Sequence, residues 1–134
     1  MGQRSRRVLV VEDNVGLSAV LRELLTGAGY SVLTALNGIE AVVFLTSRAS
    51  ESPDAILLDI GLPLTNGVSL LDFVRNIMSS KLPVVVLTAS ADVEQEQELR
   101  KLGISRYLRK PAPLEQVLSA VADALSTRVG DVRN

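Results

Sequence analysis

The sequence predicts an α/β fold, with five strand-then-helix units around one parallel sheet and helices on both faces. Three apolar runs carry that prediction. Val8-Leu9-Val10-Val11, Ala55-Ile56-Leu57-Leu58 and Val84-Val85-Val86-Leu87 lack the polar alternation of a one-sided sheet, so both their faces must be covered. Stretches with apolar residues at helical spacing separate them, and the common closure of such a chain is a doubly wound sheet in the order 2-1-3-4-5.

The elements follow in order. After the first strand, Leu17, Val20, Leu21, Leu24, Leu25 and Ala28 keep a helical period, with Asn14 placed to cap the start and Gly29 to end it. Ser31 to Ala35 reads as a short strand, Asn37-Gly38 as a turn, and Ile39 to Arg48 as a helix turning Ala41, Val42, Phe44 and Leu45 inward. Ser47 to Pro53 is polar loop. Beyond Asp59, Gly61, Pro63 and Asn66-Gly67 break regular structure until a helix over Ser69 to Met78 presents Leu70, Leu71, Val74 and Ile77. The fourth strand passes directly into Thr88, Ala89 and Ser90. Asp92 to Leu102 is a helix with little apolar surface beyond Val93, Leu99 and Leu102, so weak packing predicts mobility. Tyr107 to Lys110 is the last strand, stopped by Pro111, and Pro113 opens a helix whose stripe is Leu114, Val117, Leu118, Val121 and Leu125.

Composition narrows the chemistry. At 47% hydrophobic, 22% charged and net charge −1, the chain has a globular profile with no polybasic stretch for nucleic acid and no apolar run long enough for a membrane span or signal peptide. It is expected to be cytoplasmic. With no cysteine and no histidine, disulfides, thiolate zinc sites and histidine-based catalysis are excluded, leaving carboxylates, Lys, Tyr, Ser and Thr. Such groups suit phosphoryl chemistry assisted by Mg2+, where positioning and charge neutralisation supply most of the effect.

Acid stands where folding does not ask for it. The first strand ends on Glu12-Asp13 and the third on Asp59, at the carboxyl edge where open α/β sheets bind ligands. Any one of these acids could merely cap a helix. Three brought together would repel one another unless a cation sat among them, and an oxygen donor set fits a hard ion such as Mg2+. Lys110, ending the fifth strand at the same edge, is placed to bind an anion.

Together, Glu12-Asp13, Leu58-Asp59-Ile60-Gly61-Leu62-Pro63, Thr88-Ala89 and Lys110-Pro111 resemble the receiver domains of two-component response regulators, over about all of 7–126. The resemblance implies a flavodoxin-like (βα)5 sandwich spanning 7–127, between a short N-terminal stretch (1–6) and a tail or linker start (128–134). It implies that Asp59 accepts a phosphoryl group from a phosphohistidine on a sensor histidine kinase or histidine phosphotransfer protein. It further implies that Asp13, Asp59 and the Gly61 carbonyl bind Mg2+, with Glu12 acting through water. Lys110, the Thr88 hydroxyl and the Ala89 amide would stabilise the phosphoryl oxygens, and Tyr107 would be the aromatic switch for a surface of helix four, strand five and helix five. The family's Lys-Pro bond is cis, and Lys110-Pro111 is the counterpart here.

Leu62 stands in place of a frequent methionine, and Ala112-Pro113 in place of a usual phenylalanine; both concern packing. Gly61 and Ser90 occupy positions that tune phosphoryl lifetime in the family, and neither side chain orients water strongly, so a short-lived adduct is not expected. A phosphohydrolase using aspartyl phosphate would want an acid where Gly61 stands, and an FMN carrier would want a phosphate loop and stacking aromatics that the chain lacks. The resemblance names neither the kinase nor the output, and leaves phosphorylation-dependent dimerisation, common in the family, open.

Overall fold

The computed structural model describes residues 5–47, 52–64 and 66–126. Arg48, the expected end of the second helix, lies outside them with most of the expected loop over 47–53, most of the expected N-terminal stretch, residue 127 and all of the expected tail over 128–134. Five strands, β1 (Arg7–Val11), β2 (Ser31–Ala35), β3 (Ala55–Leu58), β4 (Val84–Thr88) and β5 (Arg106–Arg109), form one parallel sheet in the order β2-β1-β3-β4-β5. Among the described residues the α-helices are α1 (Val15–Gly27), α2 (Gly38–Leu45), α3 (Gly67–Asp72), α4 (Val93–Leu102) and α5 (Leu114–Ser126).

Alternation within the buried strands sorts the core into two layers. Leu9, Val11, Ile56, Leu58, Val84 and Val86 face α2, α3 and α4, meeting Ala41, Leu45, Leu70, Leu71, Val74 and Leu99. Val8, Val10, Leu57, Val85 and Leu87 face α1 and α5, meeting Leu21, Leu25, Val117, Val121 and Leu125. Each fully buried leucine or valine contributes about 1.5–3 kcal/mol, so β1, β3 and β4, covered on both sides, form the rigid centre.

Several helices depart from expectation. The second ends at Leu45 rather than beyond it, because the hydroxyls of Thr46 and Ser47 donate back to the carbonyls of Val42 and Val43, at 2.8 Å each, and terminate the coil. The third starts at Gly67 instead of Ser69, since the Asn66 side chain accepts the Ser69 amide at 2.9 Å and acts as its cap. Its continuation, Phe73–Ile77, is a π-helical turn closed by the Met78 amide donating to the Phe73 carbonyl. That extra residue shifts the phase, so Ile77 is 70% exposed and Met78 packs on the core in its place. Val93 and Leu114, in the first turns of α4 and α5, are likewise exposed, and Lys110 lies just past β5 rather than in it.

Candidate functional site

The carboxyl ends of β1, β3, β4 and β5 converge at one edge of the sheet. Register places Val11 beside Leu58, Leu58 beside Val86 and Thr88 beside Arg109, so Glu12, Asp59, Thr88 and Lys110 emerge together. The Asp59 amide donates to the Val11 carbonyl at 3.0 Å and the Lys110 amide to the Thr88 carbonyl at 2.8 Å, extending the ladders one residue into the site. The Lys110-Pro111 peptide bond is cis.

Glu12 is 2% exposed and Asp59 8%, whereas Asp13 is open to solvent. One carboxylate oxygen from each lies within 4.8 Å of the others. Lys110 bridges the two buried ones, its Nζ 2.9 Å from Glu12 Oε1 and 3.4 Å from Asp59 Oδ2. The other Glu12 oxygen accepts the Asn14 amide at 3.1 Å, and Asp59 Oδ1 accepts the Gly61 amide at 3.3 Å. Burial pushes the Glu12 carboxyl above the ordinary range, a rise that Lys110 and the Asn14 amide only partly counter. Burial pulls the Lys110 ammonium down, but its hydrogen bond to Glu12 and the charge of Asp59 outweigh that and leave it above its usual value. The three carboxylates are a hard oxygen donor set, which fits Mg2+ and suits neither soft nor thiophilic metals.

Thr88 is buried at the end of β4, and its Oγ1 accepts the Ser90 amide at 3.2 Å. Ala89 is exposed beside it, and Gly61 is exposed beyond Asp59. Tyr107, one strand over, donates its hydroxyl to the Ser90 carbonyl at 3.2 Å, beneath the Arg100 guanidinium, which stands 5.8 Å from its ring centre. Desolvation raises the Tyr107 phenol above its usual range.

Two supporting residues were not singled out for the site in the sequence. Gly67 is one. A Cβ there would sit 2.7 Å from the Ile60 Cα and 2.9 Å from the Asp59 carbonyl oxygen, so only glycine lets α3 start against the Asp59 loop. Its amide donates to the Ile60 carbonyl at 2.8 Å. Asn66-Gly67 carries an ordinary turn signature, and nothing local distinguishes a turn glycine from one that packs under a site. Arg75 is the other: a cation at the edge of an apolar helical stripe, readable from sequence only as a surface residue, yet half-buried with its guanidinium on backbone carbonyls.

The sheet edge thus carries two buried carboxylates, an exposed third and a lysine on a doubly wound fold. Residues 8–122 match the model of the response regulator receiver domain, and the chain belongs to that family. It is similar to the Transcriptional regulatory protein PrrA of Mycobacterium tuberculosis, 38% identical over 127 residues, 95% of this chain and 53% of the relative. The chain thus spans about half the length of PrrA. Sporulation initiation phosphotransferase F of Bacillus subtilis is 28% identical over 117 residues, 87% of this chain and 91% of the relative. The chemotaxis protein CheY4 of Vibrio cholerae superposes with a TM-score of 0.81 at 28% identity, covering 91% of this chain and all of that one.

Proposed function

We propose that the receiver unit, spanning 7–127, acts in the cytoplasm as a phosphoacceptor, with Asp59 taking a phosphoryl group from a phosphohistidine on a sensor histidine kinase or histidine phosphotransfer protein. The observation that carries this reading is Lys110 Nζ reaching both Glu12 and Asp59 at an edge where a third acid, Asp13, stands within ligand distance. A cation fixed against the carboxylate that is to be modified is what phosphoryl transfer requires, since catalysis there is mainly positioning and charge neutralisation. A relative bearing the name Sporulation initiation phosphotransferase F supports phosphoryl chemistry.

An Asp59 carboxylate oxygen attacks phosphorus in line, a P–O bond forms as the P–N bond to the donor imidazole breaks, and the imidazole leaves with that electron pair. The product is an acyl phosphate. Lys110 then faces the new phosphoryl oxygens, and the Thr88 hydroxyl and Ala89 amide, at the adjoining strand end, hydrogen-bond them. Asp13, Asp59 and the Gly61 carbonyl would hold Mg2+, with Glu12 acting through water; the ion supplies charge neutralisation on the phosphoryl oxygens. Movement of the Thr88 hydroxyl toward the phosphoryl group releases the Ser90 amide, and with it the Ser90 carbonyl on which Tyr107 rests. The α4, β5 and α5 surface re-sorts as a result, for a partner protein, an attached output domain or a second copy to read. The chain turns over no external substrate beyond slow loss of its own phosphoryl group. No side-chain carboxylate or amide at Gly61 or Ser90 orients water there, so the acyl phosphate persists beyond seconds.

Transfer from a radiolabelled phosphohistidine carrier tests the reading. Label should move to the wild-type chain with Mg2+, fail to move to Asp59→Asn, and decay over minutes or longer. Label on a serine, or equal labelling of Asp59→Asn, would falsify the assignment.

A further inference from the structure

The two ends of α4 are held by different means. At its start, a ladder of local hydrogen bonds leads from the candidate site: the Ser90 amide donates to Thr88 Oγ1 at 3.2 Å, the Asp92 amide to Ser90 Oγ at 3.2 Å, and the Gln95 amide to Asp92 Oδ1 at 3.1 Å. Each rung is a neutral or exposed contact and easily lost. At its end stands Arg75, reaching across from the π-helical turn that follows α3. Arg75 Nη2 donates to the Gly103 carbonyl at 2.8 Å and Nε to the Leu102 carbonyl at 3.2 Å, while Nη1 holds the Ser80 carbonyl at 3.0 Å.

Charged donors on the carbonyls of a helix C-terminus complement its partial negative charge, and a guanidinium makes several such bonds at once in a fixed plane. The site is also built for it. Gly103 adopts φ 101°, turning the chain so that its carbonyl meets the guanidinium, and a Cβ at Gly103 would lie 3.6 Å from Arg75 Nε. Apolar packing adds little elsewhere on α4: Leu99 is its one buried residue, and it too lies near the Arg75 end.

We propose that Arg75 is a positioning residue, the pivot of α4: it pins the helix at Leu102–Gly103, so that any change at Thr88 moves or frays the helix from its Asp92 end. Resting on the phosphoacceptor reading above, this adds the residue that sets which end of the helix responds. Arg75 touches neither Asp59 nor any phosphoryl oxygen, and it acts through α4 alone.

Amide hydrogen exchange on the full chain decides the matter, with wild type, Arg75→Lys and Arg75→Ala measured before and after adding Mg2+ and beryllofluoride, a phosphoryl mimic. In the ligand-free wild type, the Leu102 and Gly103 amides should exchange about tenfold or more slowly than those of Glu96 and Gln97. Arg75→Lys, which keeps the charge but loses the fork, should speed exchange at Leu102 and Gly103 severalfold, and Arg75→Ala about tenfold or more, with α5 unchanged in both. Beryllofluoride should alter exchange at 92–97 and spare 102–103 in the wild type, while in the variants its effect should extend along the whole helix. Equal acceleration at both ends of α4, no acceleration at either, or a wild-type response as large at Gly103 as at Glu96 overturns the pivot. A lack of any beryllofluoride response at Thr88 to Ser90 overturns the phosphoacceptor reading and the signalling half of the pivot, while the ligand-free comparison still decides whether Arg75 pins the helix.

Discussion

Lys110 is the residue on which the site closes. With Glu12 almost fully buried and raised by desolvation, the ammonium 2.9 Å away is what makes a second buried carboxylate, Asp59, tolerable beside it. Removing a preorganised cation of this kind costs phosphoryl transfer more than folding, so Lys110→Ala should slow labelling of Asp59 by about 10²–10³-fold in a single-turnover assay. Tyr107 is tested by pH. Its phenol is raised by burial, so above about pH 10 the unfolded chain ionises while the folded one still holds the proton. The stability Tyr107 supplies is therefore complete below that pH and lost as pH climbs through the folded value. In urea titrations, Tyr107→Phe should lose about 0.5–1.5 kcal/mol at pH 8 through its missing bond to Ser90, and the gap to wild type should shrink toward pH 11. Gly67→Ala should cost about 1–3 kcal/mol, since the new methyl meets backbone of Ile60 and Asp59 rather than a side chain that can swing aside. Asp59, Glu12 and Lys110 were legible because helix capping can account for one charge at the end of an apolar strand, but not for charges ending three strands at one sheet edge. Gly67 was not, since what excludes a side chain at that point is a backbone contact seven residues back in sequence.

Elements differ in how firmly they are held. In α5, Val117, Ala120, Val121, Ala124 and Leu125 are buried, whereas α4 buries Leu99 alone, so the low apolar content of 92–102 is matched by sparse packing. Leu99→Ala should destabilise the chain by about 2–5 kcal/mol in chemical denaturation and leave α4 as the first helix to exchange its amides. The strands were readable to within a residue because an apolar β-branched run between turn signals has few other fates. Helix phase was harder. Leu70, Leu71, Val74 and Ile77 fit an ideal helix, but the π-helical turn at Phe73–Ile77 inserts one residue per turn and hands the inward position to Met78. Periodicity cannot reveal such an insertion, because Ile and Met satisfy the apolar pattern equally well. The same turn carries Arg75 to the end of α4, a contact between elements 27 and 28 residues apart in sequence.

For the whole molecule, the sheet order brings four strand ends to one edge and separates two core layers behind them, so the site stands on the most densely packed part of the fold with its sparsely packed helix, α4, at the side. A ligand that binds only this folded edge must stabilise the entire domain. Mg2+ at a hundred times its Kd should therefore raise unfolding free energy by about 2.7 kcal/mol, and Asp13→Asn should remove most of that gain while Asp123→Asn leaves it intact. The fold was legible because alternating strands and helices admit few closures, and the strand order followed from the commonest of them. Left unread were the contacts that only closure creates, among them Lys110 shared between Glu12 and Asp59, and Tyr107 resting on Ser90. If this edge makes Asp59 a phosphoacceptor, intact mass after incubation with Mg2+ and acetyl phosphate will reveal it. The wild-type chain should gain one phosphoryl group that Asp59→Asn cannot take up and that chelation of the metal prevents. An unmodified wild type, or an Asp59→Asn chain that gains the same mass, would contradict it.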